Sequence, residues 1–171
     1  TYIDNIANFI NNGWRNTIPV LDNMSEFDQL NKAVKEPCRI GIRIASEEEP
    51  KFEFYTSRLG IRYSDIMPFY QNVVSKNDKF SLKMLHFFIN TGIRDNAYYW
   101  NELAKCVNVY CDLKAVCPEL DSLNIGGGFP IKNSLAMDFE YEYMAEEVVA
   151  QIKSICEQRG VREPNIFTEF G

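Results

Sequence analysis

Three consecutive glycines, Gly126, Gly127 and Gly128, follow the apolar stretch Leu123-Asn124-Ile125 and precede Phe129-Pro130. Without side chains, such a run lets the backbone turn sharply and approach a ligand closely. Successive N–H groups in that turn form a concavity suited to an anion such as phosphate. Taken alone, the glycines read equally well as a flexible loop. Three further side chains have chemistry to offer. Arg43 is a charge on the otherwise apolar run Arg39-Ile40-Gly41-Ile42-Arg43-Ile44-Ala45, where it calls for a buried partner or a ligand unless it lies at the surface. Thr91, in Asn90-Thr91-Gly92, has a hydroxyl that can donate to an anion, or is an ordinary turn residue. Glu169 closes the apolar run Asn165-Ile166-Phe167-Thr168-Glu169. A carboxylate there can hold a neighbouring basic nitrogen in its charged form, or can simply be solvated.

The elements that must position these residues follow from apolar spacing. Helical periodicity predicts helices over 2–12, 25–35, from 64 onward, 95–116 and 138–159. Gly13 and Gly160 close the first and last, and Ser25 caps the second. Short apolar runs predict strands over 17–21, 39–45, 82–89, 122–125 and 165–169, with an irregular acidic loop between 45 and 59. Strands so apolar are buried on both faces, which calls for a parallel sheet with helical crossovers. No Gly-x-Gly-x-x-Gly opens a helix after the first strand, which argues against a dinucleotide-binding fold. The expected class is α/β, a partial (β/α)8 TIM-like barrel of about five βα units. Functional residues of such a barrel sit at the C-terminal ends of its strands, and phosphates favour the loops after late strands. Those ends are 21–23, 43–45, 88–92, 126–128 and 169–171, so all four candidates fall on them.

Composition bounds the rest. With 171 residues, 46% of them hydrophobic, the chain holds one core. A net charge of −6 without a basic cluster argues against nucleic acid as a partner. The five cysteines make no CxxC pair, and His86, the single histidine, reads as a core residue, so no metal site is expected. Free thiols fit a reducing, cytoplasmic setting. No apolar run approaches the length of a membrane span, and no signal peptide is legible. The ends, Thr1 and Gly171, read as cuts through a longer protein.

In order, these strand ends resemble the alanine-racemase-like barrel of the pyridoxal-phosphate-dependent decarboxylases of basic amino acids, a family that includes ornithine, arginine and diaminopimelate decarboxylases. Leu123 to Pro130 resembles the family's phosphate-binding glycine loop. Ser57-Arg58-Leu59-Gly60 resembles its Ser-Lys-Phe-Gly element, Leu85 to Gly92 stands where the family has a strand ending His-x-Gly-Ser, and Thr168 to Gly171 resembles the start of its Glu-Pro-Gly-Arg motif. The wording, Phe167-Thr168-Glu169-Phe170-Gly171 included, is most similar to the biosynthetic arginine decarboxylases of bacteria. The resemblance implies pyridoxal 5'-phosphate as cofactor, an amino acid as small-molecule substrate, loss of CO2 (arginine to agmatine, toward polyamines), and a homodimer or higher homo-oligomer in the full-length protein. It implies that Gly126, Gly127, Gly128, Thr91 and Gly171 surround the phosphate, that Glu169 is the catalytic carboxylate beside the ring nitrogen, and that Arg43 lies close by.

The chain also departs from the family pattern. Phe88 stands where the family stacks a histidine on the pyridine ring. It can stack but offers no nitrogen. Asn90 replaces a glycine. No lysine here matches the Schiff-base lysine, which the family carries on an earlier strand, and the family's C-terminal β-domain is not matched, so residues 1–171 are expected to be one segment of the barrel domain and not competent alone. Alternatives are an ornithine or diaminopimelate decarboxylase, a non-catalytic relative that binds or regulates a true decarboxylase, and an unrelated phosphate-binding barrel.

Overall fold

The computed structural model describes residues 1–46, 59–89, 96–128 and 141–169. Five strands, β1 (Val20–Leu21), β2 (Cys38–Ile44), β3 (Phe80–Phe87), β4 (Ser122–Asn124) and β5 (Asn165–Phe167), form one sheet in the order of the chain. Every neighbouring pair is parallel. Helices α1 (Tyr2–Asn11), α2 (Met24–Ala33), α3 (Tyr63–Asn72), α4 (Asn96–Lys114) and α5 (Tyr141–Arg159) precede and separate the strands, and a short 3-10 turn, Val74–Lys76, precedes β3. Sequential parallel order with helical crossovers is the wall of a (β/α) barrel.

One face of the sheet meets the helices. Ile40, Ile42 and Ile44 of β2, Leu82, Leu85 and Phe87 of β3, and Leu123 of β4 are buried in a single cluster with Phe27 and Leu30 of α2, Ile66 and Phe69 of α3, Leu103, Val107 and Tyr110 of α4, and Val148 and Ile152 of α5. Side chains alternate along a strand, so the other face carries Arg43, His86 and Asn124, which are register partners in one row across β2, β3 and β4. A bulge opposite Ile40 and Gly41 inserts Lys83 into β3. The extra residue resets the alternation, so Leu82 and Leu85 both face the helices while His86 faces the site. Lys83 pairs with Asp121 at 2.5 Å, tying the bulge to the start of β4.

Several boundaries differ from the periodicity. The first strand is two residues rather than five, because Pro19 has no N–H to give the ladder. Its carbonyl still accepts from Gly41 at 2.8 Å. The cap of α2 is Asn23, in a capping box with Glu26, and the Ser25 hydroxyl donates to Asn23. β3 begins at Phe80, ahead of the expected 82, and ends at Phe87. The acidic loop at 47–58, the 90–95 segment and the stretch 129–140 lie outside the described residues. All five cysteines are buried and free. Burial pushes the Cys38 thiol up to about 11 and the Cys156 thiol up to about 12, which keeps both neutral and unreactive. Among the described residues, no helix is long and apolar enough to cross a membrane.

Candidate functional site

The C-terminal ends of the strands bring five of the predicted positions together, Arg43, Phe88, Gly126, Gly127 and Glu169. Gly126 turns the chain directly after β4 with φ +69°, a left-handed conformation that a side chain resists. A Cβ on it would meet Phe87 O at 2.9 Å and Phe88 Cδ2 at 3.0 Å, so Phe88 packs over this turn. Arg43 lies over the Phe88 ring, its Cζ 5.8 Å from the ring centroid, within cation–π range. The Arg43 guanidinium is held by Asp22, just beyond β1, with Nη1 3.3 Å from Oδ1. Gly60 in turn donates its N–H to the Asp22 carbonyl at 2.9 Å, and Ile61 donates to the Arg43 carbonyl at 2.8 Å, so the loop returning to α3 fixes both ends of that pair.

Glu169 arrives from β5. Its N–H donates to the Gly126 carbonyl at 2.9 Å, and a Cβ on Gly127 would lie 2.8 Å from the Glu169 carbonyl oxygen. Asn124 joins the two pieces. Its Oδ1 accepts the Gly126 N–H at 2.8 Å, while its Nδ2 donates to Glu169 Oε1 at 2.8 Å. Beside them, His86 places Nε2 3.9 Å from the same Oε1. That nitrogen is buried and has no hydrogen-bond partner among the described residues. Burial lowers the His86 pKa below its ordinary 6.5; the Glu169 charge opposes this, Arg43 adds to it and Asp22 opposes it. The ring is therefore neutral near pH 7, with one N–H to donate.

Two expectations change. Gly126 is expected to offer its N–H to a phosphate, but that N–H is committed to Asn124, so Gly126 makes the turn. His86, expected in the core, lies on the site face beside Glu169; two residues before Phe88, it points to the same side of the chain. Thr91, Gly171, Ser57, Arg58, Phe129 and Pro130 lie outside the described residues. Asn124 and Asp22 were not singled out from the sequence. An Asn two residues before a Gly was the available signal for Asn124, since its side chain makes an Asx turn to that backbone N–H.

The profile of the pyridoxal-dependent decarboxylases, pyridoxal binding domain, matches residues 5–171. The chain belongs to this decarboxylase family. Among curated relatives of this decarboxylase domain, the biosynthetic arginine decarboxylase of Geobacter sp. (strain M21) is 26% identical over 168 residues, covering 89% of this chain and 26% of the relative. That of Pelobacter propionicus is 30% identical over 122 residues, covering 67% and 19%. The chain thus spans about a quarter of the length of the curated relatives it matches most fully. Among solved structures, the biosynthetic arginine decarboxylase of Campylobacter jejuni superposes with TM-score 0.75 at 23% identity, over 99% of this chain and 29% of that one. A diaminopimelate decarboxylase from M. jannaschii gives 0.79 at 18% identity, over 99% and 41%. The decarboxylase domain described here is therefore a partial barrel of their fold.

The residues present fit the family's pyridoxal group. A close-approach glycine turn suits its anionic end, a strand-end carboxylate suits its basic nitrogen, and an aromatic ring lies against the glycine turn.

Proposed function

We propose that this chain forms the pyridoxal 5'-phosphate site of an enzyme that decarboxylates a basic amino acid, with arginine to agmatine as the reaction. The observation that carries the reading is the Asn124 bridge, which ties the glycine turn to Glu169 Oε1 at the C-terminal edge of the sheet. A generic phosphate loop has no need of a carboxylate fixed to its own first glycine.

Each residue then has a task. Gly127 and Gly128 offer backbone N–H groups to the phosphate, and the Thr91 hydroxyl joins them. Glu169 holds a proton on the pyridine nitrogen, since an adjacent carboxylate favours the charged form of a base. Phe88, held between Arg43 and Gly126, supplies a flat apolar surface for the ring and keeps water from it. Arg43, neutralised by Asp22, adds local positive potential without a net charge. The family resemblance assigns Gly171 to the phosphate as well. Bound pyridoxal phosphate supplies the electron sink for the pair left when CO2 departs. The arginine assignment rests on the curated relatives, whose names specify arginine decarboxylase.

The test uses the complete gene product. Absorbance at about 420 nm from the bound cofactor, and agmatine formed from arginine, are the expected results. Parallel incubations with ornithine, lysine and diaminopimelate assign the substrate. A protein showing neither the absorbance nor any product from these amino acids would overturn the reading.

A further inference from the structure

Glu169 is the residue the cofactor reading depends on most, and it is poorly restrained. Its side chain is 55% exposed, and Asn124 holds only Oε1. A carboxylate tethered at one oxygen swings about that bond and does not present Oε2 in a fixed direction. The structure supplies a second tether that is not yet made. His86 enters from β3, on the opposite side of Asn124 from β5, and its side chain is only 13% exposed. Its Nε2 has no other partner among the described residues and faces Oε1 across 3.9 Å. The gap exceeds a hydrogen bond by about 1 Å, a distance that a rotation of the exposed Glu169 side chain closes.

We propose that His86 is a positioning residue for Glu169: its Nε2–H donates to Oε1 alongside Asn124, which leaves Oε2 as the oxygen presented to the ligand's basic nitrogen. The inference rests on the reading of Glu169 given above. Among the described residues, the charged and titratable groups around the ring are Glu169 just beyond β5, Arg43 from β2 and Asp22 just beyond β1. Arg43 is already paired with Asp22, so Glu169 is the carboxylate left for His86 to serve. A neutral imidazole suits this task, because it donates without adding a charge that would compete with a protonated ring nitrogen for the carboxylate. Asn124 and His86 are neighbours in the same row of the sheet, so both donors sit on rigid strands and the mobile partner is the one they restrain. The position is the one that Phe88 vacates chemically. With no nitrogen at 88, the nearest imidazole is two residues earlier, and it reaches the carboxylate rather than the face of the ring.

Three variants of the complete gene product separate this from the reading beneath it. The readouts are the dissociation constant for pyridoxal phosphate and the visible band of the bound cofactor, both independent of turnover. Glu169→Gln tests the carboxylate and is expected to weaken retention and shift the band. His86→Leu removes the donor at similar volume and is expected to weaken retention about tenfold, the value of one hydrogen bond to a charged group. His86→Gln places an amide N–H near the Nε2 position and is expected to stay within about threefold of wild type on that same scale. If Glu169→Gln acts while both His86 variants match wild type, the inference fails and the carboxylate reading stands. If Leu and Gln weaken binding equally, His86 serves packing alone and the inference again fails. If Glu169→Gln changes neither readout, the carboxylate reading falls and takes the positioning role with it.

Discussion

Single atoms decide this site. Asn124 spends one side-chain oxygen on Gly126 and one side-chain nitrogen on Glu169, and each bond is 2.8 Å. A half-buried histidine beside them, its Nε2 buried, carries a consequence for stability. Burial, the largest cause, lowers the His86 pKa from 6.5, with Glu169 and Asp22 opposing and Arg43 assisting. In the unfolded chain the ring takes a proton at the higher, ordinary value, so below that pH the unfolded state binds more protons. The stability due to a neutral His86 is therefore complete above 6.5 and is lost as pH falls from there toward the folded value. Urea midpoints of the complete gene product at about pH 7.5 and about pH 5.5 should fall further for wild type than for His86→Gln, which cannot titrate. Equal declines would show that His86 does not hold its neutral form in the fold.

At the scale of elements, the junction of β4 and β5 sets the site. Gly126 and Gly128 have φ of 69° and 80°, where any side chain is strained, but Gly127 does not have a positive φ. Alanine at 127 is therefore conformationally permitted, and its cost is contact, a Cβ 2.8 Å from the Glu169 carbonyl oxygen. Gly127→Ala is expected to push the end of β5 away from the glycine turn and weaken pyridoxal phosphate binding about tenfold or more, while lowering global stability by only about 1–3 kcal/mol, the range for modest overpacking. Isothermal titration and thermal denaturation separate the two effects; a large fall in stability with unchanged affinity would place Gly127 in the scaffold alone. How far such details were legible depended on their range. Short apolar runs announced all five strands and helical apolar spacing the five helices, because both are local patterns. The glycine turn, Glu169, Phe88 and Arg43 could be placed at strand ends for the same reason. The roles of Asp22 and Asn124 were not legible, because they come from bonds to residues 21 and 45 positions away. The bulge at Lys83 was equally hidden, since a one-residue insertion is visible only against the partner strand. It decided which face of the sheet Leu82 and the residues before it take.

At the scale of the molecule, the site is not carried by any one segment. Arg43, His86, Phe88, Asn124, Gly126 and Glu169 come from four successive strands and meet only when the sheet is assembled in order. A ligand that uses them all binds the assembled sheet and not the unfolded chain, so its free energy adds to that of folding. Pyridoxal phosphate at a hundredfold excess over its dissociation constant should stabilise the complete gene product by ~2.7 kcal/mol, and Tm should keep rising with the logarithm of its concentration. The pattern of protection distinguishes this from a ligand held by the glycine turn alone. Amide exchange should slow together at 43–45, 86–88, 124–128 and 165–169, because opening any one of these strand ends dismantles the site. Glu169 and Gly126 share a backbone hydrogen bond, and Ile125 donates to Phe167 at 2.9 Å, so β4 and β5 should respond as one unit. Arg43 and Phe88 extend that unit through their ring contact to β2 and β3. Protection confined to 126–128 would mean that the phosphate is gripped without the ring being engaged. Glu169 would then be a strand-end carboxylate bound to Asn124 for structural reasons, and the catalytic assignment would have to move to other residues.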